Sequence, residues 1–334
     1  MTIQVVVMGG GSWGTTVAHL CAKNTPTTLW ARREDVAAEI RDHHTNRTYL
    51  EGYQLTSSLH ATTSMEEAVG SADLLVMGVP SHGMRETARE LSPYLRPWVP
   101  LVSLSKGLEE GTRLRMTQVL EQELPGHPCG VLTGPNLAKE ILAGGAAASV
   151  VSIGDETIAE ALQDLFATDL FRVYTNLDVI GCEVAGALKN VVAIASGMAD
   201  GLGTGDNTRA AVITRGLAEL TRLGVAMGGQ QQTFAGLAGM GDLIATCISP
   251  QSRNRYVGEQ LGRGHKIGDI IAEMKMVAEG VKTSKVVMEL GREYGVDLPI
   301  AESVFRVVHE GAPATEAYRG LLDRNKRSEM HGMP

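Results

Sequence analysis

A single lysine, Lys189, lies in an otherwise apolar run of the chain, residues 184–195. On a helix, Ala185, Leu188 and Val192 of this run would share one face. Lys189 then either extends from a core helix toward solvent or points into a poorly solvated site. A lysine in such a site loses proton affinity and can act as a base near neutral pH. Lys189 is therefore a candidate proton acceptor.

A second candidate site is the glycine-rich turn near the start of the chain. Residues 2–8 have the composition of a buried strand, and residues 15–22 have a helical pattern. Between them, Gly9, Gly11 and Gly14 give the spacing G-x-G-x-x-G in the strand-turn-helix context of a dinucleotide site. Free N–H groups at the start of the helix would bind the pyrophosphate. The turn therefore predicts a nicotinamide dinucleotide cofactor.

Two arginines, Arg32 and Arg33, follow the next predicted strand, and Glu34 and Asp35 come only after them. A site for NAD commonly has an acidic residue here, which accepts a hydrogen bond from the ribose 2′-hydroxyl. Arginine would instead bind a 2′-phosphate. The sequence favours NADP, with NAD use left open. The alternative is that both are surface arginines.

An anion site is also predicted around Ser252 and Arg253. If Ser252 caps a helix, Arg253 lies in its first turn, where a cation opposes the helix dipole. A phosphate bound to the free N–H groups and to the guanidinium would remove that conflict. The alternative is that Arg253 is a surface arginine, whose unfavourable interaction with the helix dipole would cost only about a few tenths of a kcal/mol.

The elements that position these residues fall into two groups. In the first half, predicted strands alternate with predicted helices. This alternation predicts a doubly wound, mostly parallel Rossmann sheet over residues 1–181. The second half, residues 182–334, predicts an all-helical substrate domain. The predicted strands are residues 2–8, 27–30, 73–79, 100–104, 129–132, 147–153 and 171–175, with helices at residues 137–142 and 157–165. The predicted later helices are residues 183–198, 208–223, 253–262, 282–293 and 300–309.

Other local patterns refine this plan. Ser64 to Glu67 has the pattern of a capping box at the start of a short helix. Lys106 follows the strand at residues 100–104, at a carboxyl end where ligands bind in such sheets, although a surface lysine is equally compatible. Polar, glycine-rich stretches at residues 199–207 and 239–247 interrupt the predicted helices. The tail from Asp323 is expected to be a solvated end.

Composition excludes several classes of protein. The chain has 334 residues, 43% hydrophobic, and a net charge of -8, which argues against a nucleic-acid or membrane-surface binder. Its four cysteines form no CxxC pair and its nine histidines no ligand set, so we expect reduced thiols and no metal. No signal peptide or uncharged bilayer-spanning run is evident. We expect a soluble cytoplasmic protein without stable membrane association.

Together these features resemble the bacterial NAD(P)-dependent glycerol-3-phosphate dehydrogenases over nearly the whole chain. The resemblance rests on the glycine motif with its Ser-Trp insert and on several further segments. These are residues 29–32, 105–107, 134–138, 186–190, 207–216, 241–243, 252–254 and 279–280.

The resemblance implies a Rossmann domain, a helical domain and an active site between them. It implies interconversion of sn-glycerol 3-phosphate and dihydroxyacetone phosphate for phospholipid synthesis, and a possible homodimer. The implied catalytic residues are Lys189 as proton acceptor, Lys106 and Asp242. The implied substrate contacts are Lys106, Gly134, Asn136, Lys189, Asp242, Ser252, Arg253 and Asn254. The implied cofactor contacts are Gly9, Gly11, Ser12, Trp13, Gly14, Arg32, Arg33, Tyr49, Lys106, Ala138, Arg253, Val277 and Glu279.

The chain departs from the family pattern at three positions. Members usually have Ser or Thr where Asn136 stands, Phe where Leu137 stands, and often Cys where Ala185 stands. An asparagine still donates and accepts hydrogen bonds. Two alternatives remain open: a β-hydroxyacid dehydrogenase or ketopantoate reductase of the same two-domain plan, and a non-catalytic NADP-sensing protein. The first would have no need for the spacing of Asp242 and residues 252–254.

Overall fold

One eight-stranded sheet organises the first half of the chain in the computed structural model of the protein, which describes residues 2–274, 278–322 and 328. The strands are β1 (Val5–Met8), β2 (Thr27–Trp30), β3 (Leu59–Thr62), β4 (Leu74–Met77), β5 (Leu101–Ser103), β6 (Cys129–Thr133), β7 (Ala147–Ile153) and β8 (Phe171–Asn176). Their order across the sheet is β3-β2-β1-β4-β5-β6-β7-β8. Neighbouring strands run parallel, except that β7 is antiparallel to β6. The predicted doubly wound, mostly parallel sheet is confirmed.

The central strands are apolar because the sheet is covered on both faces. Every residue of β1 and of β4 is buried, as expected for parallel strands between layers of helices. All seven strands predicted from the sequence are present, with shorter ends in several cases. The sequence missed β3, an edge strand that buries only alternate side chains, Leu59 and Ala61.

Short helices connect these strands. Ser64 caps one of them by accepting a hydrogen bond from the backbone N–H of Glu67 at 3.1 Å. The Glu67 carboxylate instead accepts from the Thr62 hydroxyl at 2.8 Å. The helices are α1 (Ser12–Cys21), α2 (Glu34–His43), α3 (Arg47–Leu50), α4 (Met65–Val69), α5 (Met84–Leu91), α6 (Met116–Glu123), α7 (Ala138–Leu142) and α8 (Glu156–Phe166).

The second half is helical, as predicted. Its helices are α9 (Val179–Gly201), α10 (Asp206–Ala226), α11 (Gln231–Ala235), α12 (Asp242–Ile248), α13 (Arg253–Gly262), α14 (Ile267–Glu273), α15 (Glu279–Tyr294), α16 (Pro299–His309) and α17 (Ala314–Leu322). The prediction that residues 239–247 interrupt the helices is wrong: a π-helical turn, Leu237–Gly241, leads directly into α12. The other predicted interruption shrinks to residues 202–205. Residues 323–327 and 329–334 of the predicted tail lie outside the described residues.

Helix α9 is the core of this half. Its 23 residues are long and apolar enough to cross a membrane, but 89% of its most apolar window is buried inside the protein. That burial identifies α9 as an interior helix. The part of α9 that follows Lys189 contains many small residues, which allow other helices to approach closely.

The closest approach is the crossing of α9 with α13. A Cβ added to Gly197 of α9 would lie 2.0 Å from the carbonyl oxygen of Arg255. One added to Gly258 of α13 would lie 2.0 Å from that of Ile194. Since no side-chain carbon fits at these distances, the two helices meet through their main chains. Gly201 and Gly262 lie at the same crossing.

The chain divides into two compact units. The first runs to Ser105 and resumes over Leu114–Val179; the second comprises Lys106–Arg113 and the chain from Ile180 onward. The sheet and its covering helices form the core of the first unit. The core of the second is built around α9, with apolar residues of α10, α13, α15 and α16 packed against it.

Candidate active site

Lys189 is held inside the second unit by two polar partners. Its side chain is 5% exposed, and Nζ donates to Oδ1 of Asp242 at 2.6 Å and to the hydroxyl of Thr246 at 2.5 Å. The Thr246 hydroxyl itself donates to the backbone carbonyl of Asp242 at 2.6 Å. The interpretation that Lys189 extends toward solvent is therefore wrong. The ammonium is buried and oriented from one side.

Asp242 bridges two lysines. Its Oδ2 accepts a hydrogen bond from Nζ of Lys106 at 2.7 Å, while Oδ1 accepts from Lys189. The carboxylate is 2% exposed, and the Lys106 side chain is 17% exposed. One buried anion thus holds two ammonium groups side by side. The structure brings together the three residues predicted as catalytic.

The buried surroundings of Lys189 change its pKa in the direction that acid–base chemistry needs. Burial lowers the pKa of Lys189 to about 8; the Asp242 carboxylate opposes this shift and the Lys106 ammonium adds to it. A lysine with such a pKa exchanges a proton near neutral pH, as a general acid or base must. The cause is the one expected from the sequence, desolvation of a lone lysine in an apolar helix.

A chain of side-chain amides supports the site. Asn190 donates to the backbone carbonyl of Lys106 at 3.0 Å and accepts from the Asn254 amide at 2.9 Å. Asn254 in turn accepts from the backbone N–H of Gly280 at 2.9 Å. Four segments of the second unit are thereby tied together. Asn254 was predicted from the sequence, whereas the roles of Asn190 and Thr246 were missed because nothing in their spacing shows these contacts.

The π-helical turn places Asp242. The N–H of Gly241 bonds to the carbonyl of Gly236 at 3.1 Å, a five-residue step that widens the helix just before Asp242. Gly239 is required there, because an added Cβ would lie 2.1 Å from the carbonyl oxygen of Phe234. Wide turns of this kind are rare and often lie at functional sites. The glycines that indicate a loop in the sequence are those that this turn needs.

The start of α13 has the helix cap and the first-turn arginine on which the anion-site prediction rests. Ser252 caps the helix by accepting from the N–H of Arg255 at 3.2 Å, which confirms the capping prediction. Arg253 follows in the first turn and is exposed, and Glu279 acts on it electrostatically. The Arg255 side chain instead turns to Asp200, with Nε 3.0 Å from its Oδ2. Asp200, which falls in the interruption predicted at residues 199–207, is instead a residue of α9 that anchors α13.

The glycine turn of the first unit fits a pyrophosphate. Gly9 has a φ of +121°, and a Cβ on it would lie 2.7 Å from the carbonyl oxygen of Gly78. A Cβ on Gly14 would lie 2.2 Å from the carbonyl oxygen of Gly9. At Gly11, by contrast, an added Cβ meets no atom within 4 Å, so this position faces open space at the start of α1. The turn therefore has the tight bend, the close packing and the ligand space that a dinucleotide requires.

The other predicted cofactor contacts differ in their side-chain partners within the protein. Arg33 forms a bidentate ion pair with Asp35, with Nε 2.9 Å from Oδ1, and interacts with Tyr49. Arg32 is exposed and has no ion pair among the described residues. Trp13, just after Ser12, packs on Phe171, and its Nε1 is buried without a hydrogen-bond partner in the described part of the chain. The remaining predicted contact, Val277, lies outside the described residues.

A third cluster in the first unit surrounds Asn136. Its Nδ2 donates to the Ser149 hydroxyl at 3.2 Å, while Oδ1 is buried and has no partner among the described residues. Gly134 approaches the same serine with a φ of +139°. Leu137, not Asn136, is the N-cap residue of α7, which begins at Ala138. Of the two plain alternatives for Asn136, an N-cap or a turn residue, the structure therefore excludes the N-cap.

Within the described ranges, no group of three or more His, Cys, Asp or Glu residues could hold a metal ion. All four cysteines are free thiols. The candidate acid–base groups are the two lysines and the carboxylate between them.

Comparison with known proteins gives a consistent result. Residues 4–159 match the family model of the NAD-dependent glycerol-3-phosphate dehydrogenase N-terminus, and residues 178–319 match that of its C-terminus. A glycerol-3-phosphate dehydrogenase [NAD(P)+] of Sphingopyxis alaskensis is 57% identical over 331 residues, covering 99% of both chains. One of Mycobacterium tuberculosis is 56% identical over 330 residues, covering 98% of this chain and 97% of that protein.

Solved structures give the same family. The crystal structure of glycerol-3-phosphate dehydrogenase from Coxiella burnetii has a TM-score of 0.92 at 34% identity, covering 97% of this chain and 99% of that one. A ketopantoate reductase from Ralstonia eutropha, at 16% identity and a TM-score of 0.60 over 95% of this chain and all of that one, shares the fold alone. The chain belongs to the NAD-dependent glycerol-3-phosphate dehydrogenase family.

Proposed function

We propose that the protein interconverts dihydroxyacetone phosphate and sn-glycerol 3-phosphate with a nicotinamide dinucleotide, supplying glycerol 3-phosphate for glycerophospholipid synthesis. The observation that carries the proposal is the buried Asp242 carboxylate that holds Lys189 and Lys106 at 2.6 and 2.7 Å. Reduction of a ketone needs a proton donor at its oxygen, and two adjacent ammonium groups favour the negative charge that develops there. Family membership supports the substrate and the cofactor.

Lys189 is the acid and base in this proposal. When bound, the nicotinamide supplies hydride to C2 of the ketone or takes it from the alcohol. Protonated Lys189 donates its proton to the developing alkoxide; in the reverse direction, neutral Lys189 removes the hydroxyl proton. Lys106 stabilises the charge on the same oxygen. Asp242 orients both ammonium groups and keeps them close despite their mutual repulsion.

The start of α13 binds the phosphate. Free N–H groups of the first turn and the Arg253 guanidinium present an anion site. Ser252 and Asn254 stand on either side of Arg253 and complete the site. Gly134 and Asn136 of the first unit are further proposed substrate contacts, with the unpartnered Oδ1 of Asn136 as the accepting atom.

The residues that would hold the dinucleotide belong mainly to the first unit. Gly9, Gly11 and Gly14 would hold its pyrophosphate, and Ser12 and Trp13 would be further contacts. Arg32, which has no competing ion pair among the described residues, is the better ligand for a 2′-phosphate, and Arg33 is partly occupied by Asp35. We therefore favour NADP, with NAD accepted. Tyr49, Lys106, Ala138, Arg253, Val277 and Glu279 are the other proposed cofactor contacts.

We further propose the division of labour and setting of the protein. Residues 1–181 serve as the nucleotide-binding domain and residues 182–334 as the substrate domain. The proposed cytoplasmic homodimer rests on the family resemblance. The net charge of -8 and the interior position of α9 support the proposal that the protein has no nucleic-acid or stable membrane partners. Light scattering on the purified protein tests the dimer.

The decisive experiment follows cofactor absorbance in the presence of dihydroxyacetone phosphate. NADPH and NADH are compared, and ketopantoate serves as the control substrate. Oxidation with dihydroxyacetone phosphate alone is the expected result. Oxidation with ketopantoate alone would move the protein to the related reductases, and cofactor binding without any turnover would favour a sensing role.

A further inference from the structure

Asn46 is a buried amide that touches the dinucleotide turn from outside the glycine motif. It is fully buried and stands immediately before α3, the short helix that carries Tyr49. Its Nδ2 donates to the backbone carbonyl of Gly10 at 2.9 Å and to the hydroxyl of Thr15 at 2.9 Å. Gly10 lies within the motif, and Thr15 lies in the first turn of α1. One side chain thus fixes both ends of the turn.

The chemistry of these contacts explains why an amide stands there. The carbonyl of Gly10 can only accept, so the amide must face it with nitrogen. Both N–H groups of that nitrogen are used, whereas Oδ1 is buried with no partner among the described residues. A buried, unsatisfied oxygen costs free energy. A residue present only to fill space would not carry that cost, so the two donors are the reason for the asparagine.

We infer that Asn46 is a positioning residue for the cofactor. It holds the carbonyl of Gly10 turned toward the buried Asn46 amide, so that the N–H groups at the start of α1 would be the ones to bind a pyrophosphate. It also joins the turn to the segment of Tyr49, a second proposed cofactor contact. Asn46 itself touches no cofactor atom in this role. The inference rests on the proposed use of a nicotinamide dinucleotide.

The test replaces Asn46 by aspartate, which keeps the size and removes the N–H donors. We expect the Kd for NADH, measured by fluorescence titration of the full-length protein, to rise about ten-fold, the worth of one to two such hydrogen bonds. Turnover at saturating NADH and substrate should stay within about two-fold of the parent, since bound cofactor restores the turn. NADH is chosen because it lacks the titrating 2′-phosphate.

Two further measurements distinguish a positioning role of Asn46 from a merely structural one. On acidification the buried carboxyl introduced by Asn46→Asp gains a proton and can again donate to Gly10, so the NADH affinity of the variant should approach that of the parent. The matched control is Asn24→Asp. Asn24 donates to the carbonyls of Leu165 and Ala167 at 2.9 and 2.7 Å, beyond the other end of α1, and its loss should leave the Kd unchanged.

The outcomes distinguish a failure of the role inferred for Asn46 from a failure of the proposed function. A parent protein that binds NADH, together with an Asn46→Asp variant that binds it equally well, would overturn the role of Asn46. A parent that fails to bind NADH at all would contradict the proposed function. If Asn46→Asp does not fold, Thr15→Val removes one acceptor of the same amide, and an NADH Kd raised about three-fold is then the expected result.

Discussion

Lys189 and Asp242 form a buried ion pair, with Nζ 2.6 Å from Oδ1 and both side chains almost fully withdrawn from solvent. The second oxygen of the same carboxylate is taken by Lys106 at 2.7 Å. One carboxylate therefore forms ion pairs with two ammonium groups. In the proposed mechanism the excess positive charge stabilises a developing alkoxide, and the shared carboxylate keeps the two lysines together before substrate binds.

Replacing Lys189 by methionine should remove the proton donor while keeping the length of the side chain. We expect turnover to fall about 10²–10⁴-fold, the usual worth of general acid–base help. Cofactor binding, measured by fluorescence, should be nearly unchanged, since among the described residues the hydrogen-bond partners of Lys189 are Asp242 and Thr246. Lys282→Met, an exposed lysine on α15, is the control. Turnover near the parent value in Lys189→Met would remove Lys189 from the mechanism.

The pH dependence of the two directions should be opposite. Oxidation needs neutral Lys189, so its rate should rise as pH increases through about 8, and reduction should decline over the same range. Asp242→Asn removes the anion that favours the ammonium form, so the inflection should move to lower pH while turnover also falls. Rate profiles of both proteins test this. An inflection that stays in place would show that another group titrates.

Replacing Arg253 by alanine should weaken substrate binding. Loss of a charge-assisted contact to phosphate should raise the KM for dihydroxyacetone phosphate about ten- to a hundred-fold, with a smaller change in kcat. Steady-state kinetics at saturating cofactor measure both constants. Arg263→Ala, at the far end of the same helix, is the control. An unchanged KM in Arg253→Ala would place the phosphate elsewhere.

Glu219 should make the stability of the protein depend on pH. It is buried, caps α16 by accepting from the N–H groups of Ile300 and Ala301 at 2.7 and 3.2 Å, and burial raises its pKa to about 7. Between the ordinary glutamate pKa and this value, the folded state holds more protons than the unfolded state. The free energy of unfolding should therefore fall as pH rises through this window, by at most about 3 kcal/mol.

Denaturant unfolding at several pH values tests the Glu219 prediction. The Glu219→Gln variant lacks the titrating group, so its unfolding free energy should vary less between weakly acidic and neutral pH. Glu316→Gln, an exposed partner of Arg306, should retain the slope of the parent. Equal slopes for the parent and Glu219→Gln would show that Glu219 is ionised throughout.

Most of the fold could be predicted because its signals are local. Parallel strands buried on both faces read as continuous apolar runs, and the helices of the second half have regular apolar spacing. The edge strand β3 was missed because it buries only Leu59 and Ala61. The π-helical turn before Asp242 resembles a loop in sequence, since glycines needed for close packing look like those of a turn.

The site was less accessible to sequence reasoning because its contacts are distant along the chain. Lys189 stood out as a lone charge in an apolar run. The pairing of Asp242 with lysines 53 and 136 residues away depends on how the helices pack, and no spacing reports it. Asn46, Asn190 and Thr246 are ordinary polar residues in sequence, and only their burial and partners reveal what they hold.

The glycine crossing of α9 and α13 has a consequence for substrate length. Lys189 stands on α9 and Arg253 at the start of α13, and the two helices touch main chain to main chain at Gly197 and Gly258. Such a contact cannot be lengthened or shortened by a rotamer change. The crossing therefore fixes the spacing between Lys189 and the start of α13 in the backbone. Under the proposed function, we expect a substrate one methylene longer to fit this spacing less well.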